Sequence, residues 1–430
     1  MIALPFLFLL FLIVIGMPIG FALIVASVAT LYWLGLAPIT FIPDVLMGSV
    51  QSFTLLAIPF FLLAAELLSA GGLIDRIFDL ARAIVGKLRG GMGGACVIAT
   101  GIFAGVQGSS AADAAAIGKI GTAGMVREGY RPGFAAALIA ASGATAILIP
   151  PSIAMLIYAS MVNVSVGRMF FAGVLPGVVN VLAFLVFVAW RGHKYGWKRD
   201  DTGTITSWTA RIAALRRAFW VLMLPVFVLY GFYSGNLTAT EISTACAIYS
   251  AVVALFFYRS IRAVDLWPVM MQTARTTINI FTIIAGAVLL SKVLTFLNAP
   301  QLIFGVIERF HLGPYEFLIV VSGIMFILGM FMEAVALNVM TTPILAPIAM
   351  KLGIDPVHYG IVLIFNIEIA LITPPVGLNL FVLAGATKVP LGAIYREVLP
   401  FVLILIALLL VTIFVPQLSL WLPDRLLPPG

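Results

Sequence analysis

Ser142-Gly143-Ala144-Thr145 through Pro150-Pro151, and Asn366 through Thr373-Pro374-Pro375-Val376-Gly377-Leu378-Asn379, each set two consecutive prolines in the middle of an apolar stretch long enough to cross a bilayer. Proline removes a backbone donor and clashes with the preceding turn, so a spanning helix should open at both places. In hydrocarbon the carbonyls so freed need partners. Neighbouring helices can supply them at an ordinary kink. A desolvated Na⁺ ringed by carbonyl, hydroxyl and amide oxygens supplies them equally well. Two such breaks in one chain favour ion sites.

The two breaks belong to a longer correspondence. Adding 224 to a position in the first half lands on the same helix-breaking residue in the second: Gly105 on Gly329, Gly129 on Gly353, Pro132 on Pro356, Pro150-Pro151 on Pro374-Pro375, and Pro176 on Pro400. Val174-Leu175-Pro176 also returns as Val398-Leu399-Pro400. Coincident Gly and Pro without a gap indicate an internal duplication.

Outside the breaks, composition fixes the solvent. Of 430 residues, 63% are apolar and 10% charged, the balance of a polytopic membrane protein. Spans of the roughly 20 residues that about 30 Å of hydrocarbon requires are expected near 2–34, 51–70, 134–160, 168–190, 217–234, 240–258, 275–297, 357–385 and 397–421. The first run lacks a basic n-region and a cleavage site, so it reads as a permanent span, interrupted at Gly16-Met17-Pro18 and either one tilted helix or two short ones. A net charge of +7 would suggest nucleic acid in a soluble chain. Here the basic residues sit in short loops, so they report topology rather than a nucleic-acid partner. Arg76, Arg82, Lys87, Arg89, Arg127, Arg131, Arg191, Lys194, Lys198, Arg199, Arg211, Arg216, Arg217, Arg259, Arg262, Lys388 and Arg396 fall on one side, which the positive-inside rule makes cytoplasmic, and Arg168, Arg309, Lys351 and Arg425 on the other. Leu73 to Leu88 has the spacing of a helix lying in the interface or of an ordinary loop helix.

Two further segments, 92–126 and 318–350, carry polar knots at their middles: Gln107-Gly108-Ser109-Ser110 with Asp113 in one, and Gly329, Glu333, Asn338, Thr341 and Thr342 in the other. Half-segments of about 15 residues, roughly 22 Å of helix, are too short to span. Both segments are therefore expected to be re-entrant hairpins. Five spans separate the start of the span at 134 from that at 357, and an odd number inverts the second copy. The expected fold is an all-α polytopic membrane protein of two inverted repeats with re-entrant helical hairpins and discontinuous helices, a recurrent plan for secondary transporters with substrate where the copies face each other.

The hairpin tips would present helix N-termini, whose positive dipole ends suit an anion. Gln107, Gly108, Ser109, Ser110, Glu333 and Asn338, with Thr145 and Asn379 at the breaks, form the candidate substrate set. Close packing of small residues is the alternative, though it leaves the hydroxyls and carboxylates unexplained. Glu66, Asp113, Glu333 and Glu368 are acids at membrane depth, and Lys119 and Lys292 bases. Asp113 is six residues from Lys119 and a pair between them is one expectation. Glu368 would hold the ion site or a neighbouring amide. His193, His311 and His358 lack ligand spacing, and Cys96 and Cys246 indicate neither a disulfide framework nor a metal site. No HExxH, Gly-x-Ser-Gly or phosphate loop occurs, so the chain reads as no enzyme and no ATPase, with no organic cofactor.

Gly-Ser-Ser-Ala-Ala-Asp at 108–113, Arg-Glu-Gly-Tyr at 127–130, Ile-Leu-Ile-Pro-Pro-Ser at 147–152, Phe-Ala-Gly-Val-Leu-Pro-Gly at 171–177, Gly-Met-Phe-Met-Glu at 329–333 and Ile-Thr-Pro-Pro-Val-Gly at 372–377 together resemble the large membrane subunit of tripartite ATP-independent periplasmic (TRAP) transporters over the full length. The resemblance implies an elevator carrier of the bacterial inner membrane. Its transport domain of hairpins and broken helices would slide against a scaffold, with sodium-coupled uptake of a C4-dicarboxylate, a sialic acid or a similar carboxylate. On that reading 1–50 is N-terminal scaffold, 51–191 the first repeat with broken helix 134–160, 192–274 a linker and central scaffold, 275–421 the second repeat with broken helix 357–385, and 422–430 a tail. The implied sodium ligands lie at Gly105, Ser109, Ser142, Gly143, Thr145 and Pro150, and at Gly329, Glu333, Asn366, Thr373, Pro374 and Gly377. Ala334 stands where many relatives carry proline. The implied partners are a separate small four-helix membrane subunit and a periplasmic binding protein. A stand-alone sodium/dicarboxylate symporter of the same superfamily is the alternative.

Overall fold

The computed structural model describes residues 3–85, 90–197, 208–330 and 332–427. Lys87, Arg89, Lys198, Arg199, the end of the expected interfacial helix and residues 428–430 lie outside them, as does the side chain of Gln107. Every regular element described is helical: α1 Ala3–Val14, α2 Ile19–Leu34, α3 Phe41–Val50, α4 Ala57–Ala70, α5 Leu73–Val85, α6 Gly91–Gln107, α7 Ser110–Arg127, α8 Pro132–Ala144, α9 Ile153–Val162 and α10 Val166–Tyr195. Then follow α11 Trp208–Ser234, α12 Ala239–Val252, α13 Leu266–Phe296, α14 Ala299–Arg309, α15 Pro314–Gly329, α16 Ala334–Lys351, α17 Pro356–Ala370, α18 Leu378–Thr387, α19 Leu391–Phe414 and α20 Gln417–Leu426.

Among the described residues, eight helical segments are long and apolar enough to cross a membrane: 53–70, 132–162, 166–195, 208–234, 239–257, 263–296, 334–351 and 391–414. The expected span at 2–34 is two short helices, because Gly16 takes a positive φ of 88° and Pro18 starts the second. The paired prolines open the chain as their chemistry requires. After α8 a short 3₁₀ turn at Thr145–Leu148 and extended Ile149 lead through Pro150-Pro151 to α9, where the Ser152 hydroxyl caps the Met155 amide. After α17 the chain leaves the helix at Leu371 and resumes at Leu378, past Gly377 at φ 62°. The interior on both sides of the breaks is close-packed: all of α8 beyond its first residue is buried, and so is α17 from Val357 to Ala370.

Three boundaries differ from the sequence reading. α7 and α16 have 18 residues each, roughly 27 Å of helix, and α16 is long and apolar enough to span, so the halves are not as short as their polar middles suggested. The last span ends at Phe414 rather than 421, because Pro416 cannot continue the helix. The expected tail from 422 instead continues α20, which packs on α10. Arg168 of α10 donates to Asp424 Oδ1 at 2.5 Å and to the Leu427 carbonyl at 2.6 Å, and Ser419 meets His358 Nδ1 at 2.7 Å. α5 is amphipathic, with Leu73, Ile77, Phe78, Leu80 and Ala81 buried and Asp79 turned outward.

Candidate functional site

Each hairpin turns at a residue that its neighbours demand. Gly108 closes α6 in the left-handed conformation (φ 60°) with its amide on the Ala104 carbonyl, and extended Ser109 leads into α7. A Cβ on Gly108 would stand 2.3 Å from the Pro151 carbonyl oxygen, and one on Gly105 3.4 Å from that of Pro150. A Cβ on Gly143 would likewise crowd the first hairpin, at 3.0 Å from the Ser110 carbonyl oxygen. The first tip therefore seats backbone to backbone on the first break, an approach that side chains would prevent. At the second tip extended Glu333 caps α16, its carboxylate accepting the Val335 amide at 3.1 Å, and a Cβ on Gly329 would meet Ala370 at 2.3 Å.

Both tips and both breaks open on one cavity of about 260 Å³. Gly108–Ala111 and Glu333–Val335 come from the tips, Ile147, Ile153 and Ala154 from the first break, and Leu371, Leu378 and Asn379 from the second; Leu62 of α4 and Thr276, Asn279, Ile280 and Ile283 of α13 complete the wall. The helix N-termini of α7, α9, α16 and α18 all lie in this lining, where unpaired amides and positive dipole ends favour negative charge. Among the described residues, none that line it is Lys, Arg or His.

Of the candidate substrate residues, Gly108, Ser109, Ser110, Glu333 and Asn379 line the cavity. Asn379 donates to Ser110 Oγ at 2.5 Å and to the Ala140 carbonyl at 3.2 Å, tying α18 to α7 and α8. Asn338 does not reach the cavity. It is fully buried, donates to the Ala154 carbonyl at 2.7 Å and accepts from Thr342 at 2.9 Å, so its amide joins α16 to α9. Thr145 is also turned inward: its hydroxyl lies 2.8 Å from Glu368 Oε1. Asp113 and Lys119 are not paired. Asp113 is fully buried with no hydrogen-bond partner, and Lys119 is exposed.

The candidate ion ligands gather at the two breaks. Ser142 and Thr373 hydroxyls bond carbonyls of their own helices, Leu138 at 2.8 Å and Ile369 at 2.6 Å, and keep lone pairs for a cation. Asn366 is completely buried and neither of its amide atoms has a partner, a costly arrangement unless something occupies the space beside it. Gly377 lies against the Thr373 carbonyl. These donors are oxygens of hydroxyl, amide and carbonyl type, the set that suits a hard monovalent cation. Among the described residues no group of His, Cys, Asp and Glu could hold a transition metal.

Glu368, expected to hold the ion site or a neighbouring amide, is fully buried and accepts from Asn180 Nδ2 at 2.9 and 3.1 Å as well as from Thr145, so one carboxylate joins the first break, α10 and α17. Asn180 itself, Thr276, Asn279 and Tyr395 had no place in the sequence reading. An Asn in mid-span was the available signal for Asn180. Thr276 and Asn279, one turn apart in an apolar helix, were a comparable signal. Tyr395, whose hydroxyl donates to the Pro375 carbonyl, had none.

A polytopic helical fold whose broken helices and hairpins converge on a central polar cavity is that of a membrane permease. Comparisons agree. The family described as "Tripartite ATP-independent periplasmic transporter, DctM component" matches residues 6–418. The "C4-dicarboxylate TRAP transporter large permease protein DctM" of Pseudomonas aeruginosa is 44% identical over 87% of this chain and 87% of its own. The "Sialic acid TRAP transporter large permease protein SiaM" of Vibrio cholerae is 32% identical over 96% of each. Among solved structures the Alcanivorax borkumensis YdaH transporter superposes with a TM-score of 0.61 at 13% identity, covering 88% of this chain and 87% of that one, a likeness of fold. The chain belongs to the DctM family, the large permease component of TRAP transporters, and is a multi-pass protein of the bacterial inner membrane and not an enzyme.

Proposed function

We propose that this permease takes up a small carboxylate, a C4-dicarboxylate or an acid of sialic-acid type, coupled to Na⁺. The observation that carries the reading is the convergence of two hairpin tips, two helix breaks and four helix N-termini on one cavity of about 260 Å³, without a basic side chain among the described residues that line it. An anion there is held by backbone amides and hydroxyls, chiefly those of Ser109 and Ser110, with Asn379 orienting the Ser110 hydroxyl. Na⁺ at Gly105–Ser110 with Ser142–Pro151, and at Gly329–Glu333 with Asn366–Gly377, would hold each tip on its break and shape the anion site, so that ion and substrate bind with positive coupling. The recurrence of one element order, α6 to α10 and then α15 to α19, supports two inverted repeats. An elevator movement of the hairpins and broken helices against α1 to α4 and α11 to α13 follows from that plan. The family further suggests a separate small membrane subunit and a periplasmic binding protein as partners.

The test is uptake of radiolabelled succinate and of a sialic acid into proteoliposomes holding this chain and its small subunit, with and without the binding protein and an inward Na⁺ gradient. Uptake that needs both protein and Na⁺ is expected. Uptake indifferent to Na⁺ overturns the ion assignment, and uptake without the binding protein overturns the tripartite one. Ser109→Ala and Asn366→Ala should each weaken the sodium dependence.

A further inference from the structure

A second cavity, of about 190 Å³, opens where the start of α8, the end of α10 and the start of α19 meet, and its lining includes Arg131, Phe134, Arg191, Tyr195, Trp197 and Glu397. Glu397 gives one oxygen to each arginine, at 3.4 Å to Arg131 and 3.1 Å to Arg191. Two guanidinium groups thus share one carboxylate, which leaves one positive charge uncompensated. Each guanidinium spends one of its five N–H donors on Glu397. Arg191 is held among rings, 4.9 Å above Phe134 and 5.5 Å from Tyr195, whereas the Arg131 side chain is 83% exposed and stands at the mouth.

The surroundings are those of a bilayer interface. Trp190 and Tyr195 are exposed beside Lys194 at the end of the long apolar α10. Toward the middle of the membrane both flanking helices present apolar side chains outward: Val186 on α10, and Leu399 and Leu403 on α19. A basic pocket between spanning helices at the cytoplasmic side is a recurrent seat for anionic lipid headgroups.

We propose that this pocket binds the phosphodiester of an anionic phospholipid of the inner leaflet. Its single negative charge matches the pocket's residual positive charge, its oxygens accept from Arg131 and Arg191, and its acyl chains lie along the apolar faces of α10 and α19. Free phosphate shares the headgroup chemistry and lacks only the chains.

The experiment is native mass spectrometry and thermal unfolding of the full-length protein in detergent, titrated separately with phosphatidylglycerol, phosphatidylcholine and inorganic phosphate. Phosphatidylglycerol should be retained and stabilise the protein, with little effect of the other two. Arg131→Ala, an exposed change that leaves the fold intact, and Arg191→Ala should each weaken retention about fivefold, while Arg309→Ala, which removes an equal charge elsewhere, should not. Equal retention of phosphatidylcholine, equal stabilisation by phosphate alone, or equal losses in Arg131→Ala and Arg309→Ala would overturn the proposal. None of these readings depends on what the permease transports.

Discussion

Glu368→Ala is the substitution from which the fold has most to lose at one point. Glu368 is fully buried and is the only partner found for Asn180 Nδ2 among the described residues, at 2.9 and 3.1 Å, while Asn180 Oδ1 has none. Removing the carboxylate strands the whole Asn180 amide in the interior, and an unsatisfied buried polar group costs about 1–3 kcal/mol. Thr145 loses its 2.8 Å bond but can still reach the Ala141 carbonyl at 3.3 Å, so its share is small. The cavity left by the side chain adds to this, for a total of about 2–5 kcal/mol. Glu368→Gln keeps an acceptor and the volume and sets one amide against another, so about 1 kcal/mol is expected. Thermal unfolding of the purified protein gives the first readout: a clear drop for alanine and a smaller one for glutamine. Sodium titration of uptake gives the second. Because the residue ties the first break to α17, a loss of coupling of about 1 kcal/mol would raise the half-saturating Na⁺ about fivefold in the alanine variant. An alanine variant that melts and titrates like the parent would refute the bridging role.

Gly108→Ala would place a methyl group 2.3 Å from the Pro151 carbonyl oxygen at a φ of 60°, so the first tip must lift from its break; sodium-dependent uptake should be lost. Gly129→Ala, with a positive φ but nothing within 4 Å, should leave that uptake measurable in the same assay. Asn338→Ala removes a buried amide that joins α16 to α9 and should lower thermal stability by about 1–3 kcal/mol with the substrate affinity of the remaining folded protein unchanged, as isothermal titration would show. Tyr395→Phe deletes the hydroxyl on the Pro375 carbonyl, which keeps a second route to water at the exposed edge, so a loss of about 1 kcal/mol or less in unfolding measurements is expected.

The features legible in the sequence were those fixed by local backbone chemistry. Pro150-Pro151 and Pro374-Pro375 dictate helix breaks whatever surrounds them, and Gly108 followed by two serines favours a turn, so both breaks and the first tip were legible from residues alone. What was not legible depends on the third dimension. Asn338 and Asn379 are the same residue type in comparable places, yet one fills a helix contact and the other faces the cavity. The pairing of Asp113 with Lys119 failed because six residues along a helix turn two side chains about 120° apart, here one buried and one exposed. The wall from α13 was hidden for a related reason, since an apolar span reveals which of its faces meets a cavity only when its neighbours are known.

Charge balance connects the cavity to the proposed coupling. A dicarboxylate brings two negative charges into a site whose lining, among the described residues, has no Lys, Arg or His and already contains the carboxylate of Glu333. Four helix N-termini, each equivalent to roughly half a positive charge, offset about two charges when all four act at full strength. That leaves nothing for the carboxylate of Glu333. Moving such a collection through low dielectric would be prohibitive without cations. In the proposed coupling, sodium at the two breaks would therefore have an electrostatic task beyond holding the tips in place. It would bring the loaded carrier close to neutral, and the coupling predicts that replacing Na⁺ by an uncharged osmolyte abolishes substrate binding itself, in equilibrium dialysis as much as in uptake. Substrate binding that persists without Na⁺ would mean that the helix ends alone suffice.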